Sequence, residues 1–171
     1  PGRRLPTILP PASATRAEPA GSFTPIMPIP ENAPELPSHP PYTGKHSYRN
    51  SQGDDMFYVL RYDEPDGKKS FRPICFCADR DGKRDWCFKM PKEPRPLYGL
   101  DRLAKAAPNA PGLLGEGEKT ADVAQELFPD YVCMTWSGGS GAVGRTDNAP
   151  SANMSVITWS DKYSAGRKEA F

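Results

Sequence analysis

Glu116 and Asp161 stand where carboxylates can do metal-assisted chemistry. Glu116 follows Leu113-Leu114-Gly115 and precedes Gly117-Glu118-Lys119-Thr120, which places it at a strand exit just before a helix start. Open α/β folds bind their ligands along that carboxyl edge of the sheet. Gly117 permits close backbone approach, and the helix N-terminus beyond it favours nearby negative charge. Taken alone, Glu116, Glu118 and Asp122 also suit a plainer role, capping and solubilising a first helical turn. A second run, Val156-Ile157-Thr158-Trp159-Ser160-Asp161, delivers another carboxylate to a strand end. Two such ends lying side by side in a parallel sheet suit magnesium, which prefers one or two carboxylates with water and phosphate oxygens.

Two phosphate-binding patterns compete for the neighbouring glycines. The stretch 112–120 comes close to the P-loop G-x-x-x-x-G-K-[ST], but Glu118 is inserted between Gly117 and Lys119, setting a carboxylate where backbone amides should face phosphate. Gly139-Ser140-Gly141-Ala142-Val143-Gly144 fits the dinucleotide pattern G-x-G-x-x-G, with Asp161 at the end of the following strand. The connection 145–153 contains Asn148-Ala149-Pro150 and is too short and broken for the crossover helix that fingerprint requires. A glycine-rich active-site loop over 138–144 explains the same residues. Cys75, Cys77, Cys87 and Cys133 lack the paired C-x-x-C spacing of a zinc grip. His39 and His46 complete such a site only on paper, so ordinary reduced strand cysteines are expected.

The elements that must position these residues fall into three stretches. Residues 1–50 hold Pro10-Pro11, Pro25, Pro28, Pro30, Pro34, Pro37 and Pro40-Pro41 with no apolar period between them, which predicts a disordered, polyproline-like linker. From residue 56 to 107 the pattern predicts an antiparallel β meander followed by a short helix. Its runs are Phe57-Tyr58-Val59-Leu60-Arg61-Tyr62, Ser70 to Cys77 and Asp85 to Lys89, separated by Asp66-Gly67 and Asp81-Gly82 turns. The period of two sets Phe57, Val59 and Arg61 against Tyr58, Leu60 and Tyr62, and Pro73 predicts a bulge or incomplete pairing in the second strand. A helix is expected over 97–104, closed by Pro108-Asn109-Ala110-Pro111. Residues 108–171 then read as α/β: a strand ending at Leu114, a helix over 119–128, a strand over 131–136 and another over 154–159. That helix is expected to carry Ala121, Val123, Ala124, Leu127 and Phe128 on one side.

Glu116-Gly117-Glu118-Lys119 before a helix, Thr135-Trp136-Ser137-Gly138-Gly139 after a strand, and Trp159-Ser160-Asp161 at the end of another together resemble the TOPRIM domain of phage- and plasmid-type DNA primases and primase-helicases. The stretch Arg95-Pro96-Leu97-Tyr98-Gly99-Leu100, with Leu60-Arg61-Tyr62 and Phe71-Arg72-Pro73 upstream, resembles the segment that precedes TOPRIM in those proteins. The order of several motifs from about residue 56 to 166 makes the resemblance specific. It implies an incomplete Rossmannoid sheet after the meander, an α+β arrangement overall. It also implies magnesium-dependent nucleotidyl transfer in primer synthesis for DNA replication, on single-stranded DNA with nucleoside triphosphates, alongside a helicase domain of a longer parent. Glu116 matches the family's glutamate, the general base or acid. Asp161 matches the first aspartate of its D-x-D motif, a magnesium ligand. The second aspartate falls on Tyr163, whose phenol titrates near pH 10 and supplies no anionic ligand at neutral pH. A degenerate module that only binds nucleic acid or a replication partner is therefore the alternative. Lys119, Gly138 and Gly139 are the expected nucleotide-binding positions. Arg95, Arg145 and Lys162 are further candidates for phosphate, and Trp86, Phe88 and Tyr98 among Lys83, Arg84, Lys89 and Arg95 for a single strand.

Composition sets outer bounds. Twenty-one prolines among 171 residues, concentrated before residue 42, leave about 120 residues for a single core. A net charge of +1 carries no global signature of a nucleic-acid coat or a membrane-surface protein. No apolar run reaches the roughly 18 residues of a membrane span, and no secretory signal core precedes the linker, so a cytoplasmic protein is expected. The chain starts at Pro1 and stops at Phe171 where a helix is expected to begin, so a fragment or a processed product is expected.

Overall fold

The computed structural model describes residues 23–139 and 141–159 and has a mixed α/β fold built on two sheets. The first sheet is antiparallel. Its strands are β1 (Thr24–Pro25), β2 (Gly44–Arg49), β3 (Asp55–Asp63), β4 (Lys69–Ala78) and β5 (Arg84–Cys87). They run in the order β1-β4-β3-β2, with β5 also paired to β4. The expected meander is β3-β4-β5, and its turns place Gly67 and Gly82 at φ 81° and 84°, where glycine has no steric cost. β4 keeps an unbroken register with β3 through Val59↔Pro73, while β5 reaches only as far as Cys75. The missing proline N–H therefore falls where the strand is paired by β3 alone, as the sequence anticipates.

The period of two in β3 sorts the sheet into two faces. Phe57 and Val59 share one buried cluster with Tyr48, Cys75, Cys77, Tyr98 and Ala121, the last from the other half of the chain. Leu60, Tyr62 and Ile74 face the opposite way and are covered by Tyr58, Trp86, Leu36 and Tyr42. The linker expected over 1–50 thus gives way, within its described part, to two strands and a covering segment. Ile26 N–H bonds to Phe76 O at 2.8 Å, Ile29 N–H to Asp55 O at 2.7 Å, and Trp86 Nε1 donates to Pro34 O at 3.0 Å. Proline supplies no ladder donor, but an extended chain with occasional apolar residues can still coat a sheet face.

The second sheet is parallel, with β6 (Gly112–Gly115) between β7 (Val132–Met134) and β8 (Val156–Trp159). Helix α2 (Glu118–Leu127) crosses from β6 to β7, burying Ala124 with Leu113 and Cys133 and Ala121 in the cluster of Tyr48, Phe57 and Val59. Val123, Leu127 and Phe128 are exposed, a departure from the single apolar side expected: α2 buries only Ala121 and Ala124, and Phe128 meets Trp159 of β8 edge to face at 6.0 Å. Helix α1 spans Leu100–Lys105, later than expected. Gly99 takes φ 92° at its start, while Tyr98 is drawn into a bridge with Thr135 beyond β7. Among the described residues no helix is long and apolar enough to cross a membrane.

Candidate functional site

Glu116 leaves β6 at the carboxyl edge of the parallel sheet, half-buried, with Gly117 as the N-cap of α2. β6 and β8 run parallel, and their register sets Gly115 opposite Trp159. The two strand exits on which the sequence argument depends therefore lie alongside. Asp161 itself, with Lys162 and Tyr163, lies outside the described residues.

The edge opens into a cleft of about 480 Å³ between the two sheets. Its wall is built from Glu116, Gly117 and Glu118, from the loop residues Trp136, Ser137, Gly138 and Gly139, and from Val59, Phe71, Pro73 and Met90. Gly138 and Gly139 adopt φ 106° and 73°, a backbone that side chains rarely accept. A Cβ on Gly138 would also lie 3.2 Å from both Ala142 Cβ and Arg95 Nη1. Trp136 Nε1 donates to Gly139 O at 2.9 Å and braces the same loop. Glu116, Gly138 and Gly139 are thus brought together as expected, whereas Lys119 is exposed on α2 and does not line the cleft. A larger cavity of about 620 Å³ lies on the other face of the parallel sheet, behind Trp136, but no ionisable side chain among the described residues lines it.

The other two acidic residues near Glu116 do not cap α2. Tyr48 Oη donates to Glu118 Oε1 at 2.8 Å. Tyr98 Oη donates to Asp122 Oδ1 and Oδ2 at 2.9 and 3.0 Å, Arg102 Nη2 pairs with Oδ1, and His46 Nδ1 lies 3.5 Å from Oδ2. These contacts tie β2 and the start of α1 to the helix that follows Glu116, so that helix is held from the antiparallel sheet and from α1. Burial, reinforced by the Glu118 charge, pushes the Tyr48 phenol well above its ordinary pKa, and burial with Asp122 does the same for Tyr98. Burial opposes the charge on Asp122, but hydrogen bonds from His46, Arg102 and Tyr98 outweigh it and hold the carboxyl below its usual value. The contacts of His46, weighed only for zinc, and of Tyr48 were not foreseen because both lie just past the proline-rich stretch, where only their alternate spacing signals a strand.

Among the expected phosphate ligands, Arg95 donates from Nη2 to Glu93 at 3.1 Å, and its buried Nε has no hydrogen-bond partner among the described residues. Its backbone ties to Arg145 O and Asp147 N fix it beneath the glycine loop. Arg145 is exposed, 3.8 Å from Glu93. The expected aromatic platform is dispersed. Tyr98 is buried in the cluster on one face, Trp86 packs partly buried against the other, and Phe88 is exposed, with the adjacent Lys89 Nζ bonded to Phe23 O at 2.5 Å. Cys75, Cys77 and Cys133 are buried, and burial pushes the Cys75 and Cys77 thiols up to about 12. Comparisons with known protein families, with curated proteins and with solved structures find no match.

Proposed function

We propose that this chain carries a TOPRIM-type nucleotidyl-transfer site of a primase or primase-helicase, which makes primers for DNA replication from nucleoside triphosphates on single-stranded DNA. The observation that carries the reading is the parallel β6–β8 pairing, in which Gly115, the neighbour of Glu116, stands opposite Trp159 at the end of the strand leading to Asp161.

The donors suit magnesium in kind: Glu116 offers hard carboxylate oxygen at a cleft edge, and Asp161 would be its second anionic partner. When bound, the ion would neutralise phosphate charge. The chain's own residues do the rest. Glu116 takes the proton from the attacking hydroxyl, and the Gly138–Gly139 backbone gives phosphate oxygens a close approach. Arg95 holds that loop and turns a guanidinium edge towards it. The clasps on Glu118 and Asp122 keep the turn bearing Glu116 rigid, which positioning chemistry requires.

Magnesium-dependent dinucleotide synthesis on a single-stranded template tests the reading. Glu116→Gln should lower the rate by about 10²-fold or more, the usual contribution of a general base. Undiminished synthesis in that variant would remove Glu116 from the chemistry. Tyr163, in place of a second aspartate, favours a second reading in which the fold only binds nucleic acid or a replication partner. Nucleic-acid binding without synthesis would select it.

A further inference from the structure

Phe71 lies in the Phe71-Arg72-Pro73 run of the resemblance, but the acid–base chemistry of the cleft gives it no role. It lies on β4, and its cross-strand partner on the same face is Arg61. Further along that face Cys75 and Cys77 are buried, but Phe71 is 51% exposed where β4 reaches the cleft containing Glu116 and Glu118. A single exposed aromatic is ordinary on a protein surface. This one faces a carboxylate edge and a glycine loop across a cavity of about 480 Å³. The other aromatic in that wall, Trp136, is 6% exposed and pinned to Gly139, so it has little ring surface to offer. Its cross-strand neighbour Arg61, 21% exposed, pairs with Asp63 and does not line the cleft.

We propose that Phe71 is a stacking platform for a nucleobase at the mouth of the Glu116 cleft. This rests on the nucleotidyl-transfer reading for the ligand class and adds a residue to it. Every base has a π-face, so one ring serves any sequence, and the phosphate end of the same ligand is left to the glycine loop. The base comes either from a single strand or from a free nucleoside triphosphate, and binding measurements separate the two.

The test compares the parent chain with Phe71→Ala, Phe71→Leu and Phe71→Trp, using fluorescein-labelled oligo(dT) by anisotropy and ATP with magnesium by equilibrium dialysis. Phe71→Ala and Phe71→Leu should weaken one probe by roughly 5- to 150-fold, the range expected for one stacked base, while Phe71→Trp keeps parental affinity. Loss confined to oligo(dT) assigns a strand, and loss confined to ATP assigns the nucleotide. Leucine retains apolar bulk without a π-face, so parental binding by Phe71→Leu would overturn stacking even if the alanine variant folded poorly. Failure of the parent to bind either probe would overturn it too. The reading beneath it fails separately: stacking loss in a chain that synthesises no dinucleotide keeps the platform and removes the primase chemistry.

Discussion

Glu116, Glu118 and Asp122 look alike in the sequence, yet their surroundings give them different work. Glu118 and Asp122 accept hydrogen bonds from Tyr48 and Tyr98 across to other elements, while Glu116 borders the cleft. Replacing Tyr48 by Phe leaves the ring in the core and removes one bond to a charged acceptor. A loss of about 1.5–3 kcal/mol is expected, read from urea unfolding. Asp122 gives a pH signature. Its folded pKa is depressed, so its stabilising share is complete above the unfolded value of about 3.9 and disappears as pH falls through the lower folded value. Unfolding midpoints followed from about pH 7 down to about pH 2 should therefore drop on the acid side, and Asp122→Asn should be less stable at neutral pH with a shallower acid decline. An unchanged slope in that variant would assign the acid sensitivity elsewhere. The acidic cluster was legible in the sequence, but its division of labour was not, because both tyrosine partners lie far off in the chain.

At the scale of elements, the meander, its faces and the β6-α2-β7 unit follow from alternation, Asp-Gly turns and a helical period that the chain states locally. Boundaries moved where a tertiary contact overrode the local pattern. Leu97 and Tyr98 belong by composition to a helix, but Leu97 is buried with Val132 and Met134, and Tyr98 exchanges backbone hydrogen bonds with Thr135, so α1 waits until Gly99 has turned the chain. That turn makes Gly99 exacting. At φ 92°, an added Cβ would lie 2.8 Å from Cys133 O, a backbone atom that cannot swing aside. Gly99→Ala should cost about 2 kcal/mol or more, from left-handed strain and the clash together. Thermal unfolding checks this, and a variant as stable as the parent would mean that the helix start can shift.

Across the whole molecule the two sheets share a core, with Ala121 of α2 seated among Tyr48, Phe57 and Val59, so the antiparallel half is a support for the Glu116 turn and not an appendage. The proline-rich stretch enters the same logic from the opposite face. Composition predicts that it contributes nothing, because a run with so few apolar residues has no period to reveal its role. In the fold Leu36 and Tyr42 lie over Leu60, Tyr62 and Ile74, and Pro34 O receives the Trp86 indole. Removing residues 1–43 should therefore uncover one face of the sheet and leave that indole without its acceptor. With the Trp86 bond go β1, the Ile26 and Ile29 bonds to Phe76 and Asp55, and the Leu36 and Tyr42 side chains, so a loss of more than about 3 kcal/mol is expected. Removing only residues 1–22 isolates the covering segment as the cause. A truncation at 43 that melts with the parent would show that β2 to β5 stand without a cover. A lower midpoint at 43 than at 22 would make the segment part of the domain, and its loss should loosen Tyr48 on Glu118 and so slow any reaction that depends on Glu116.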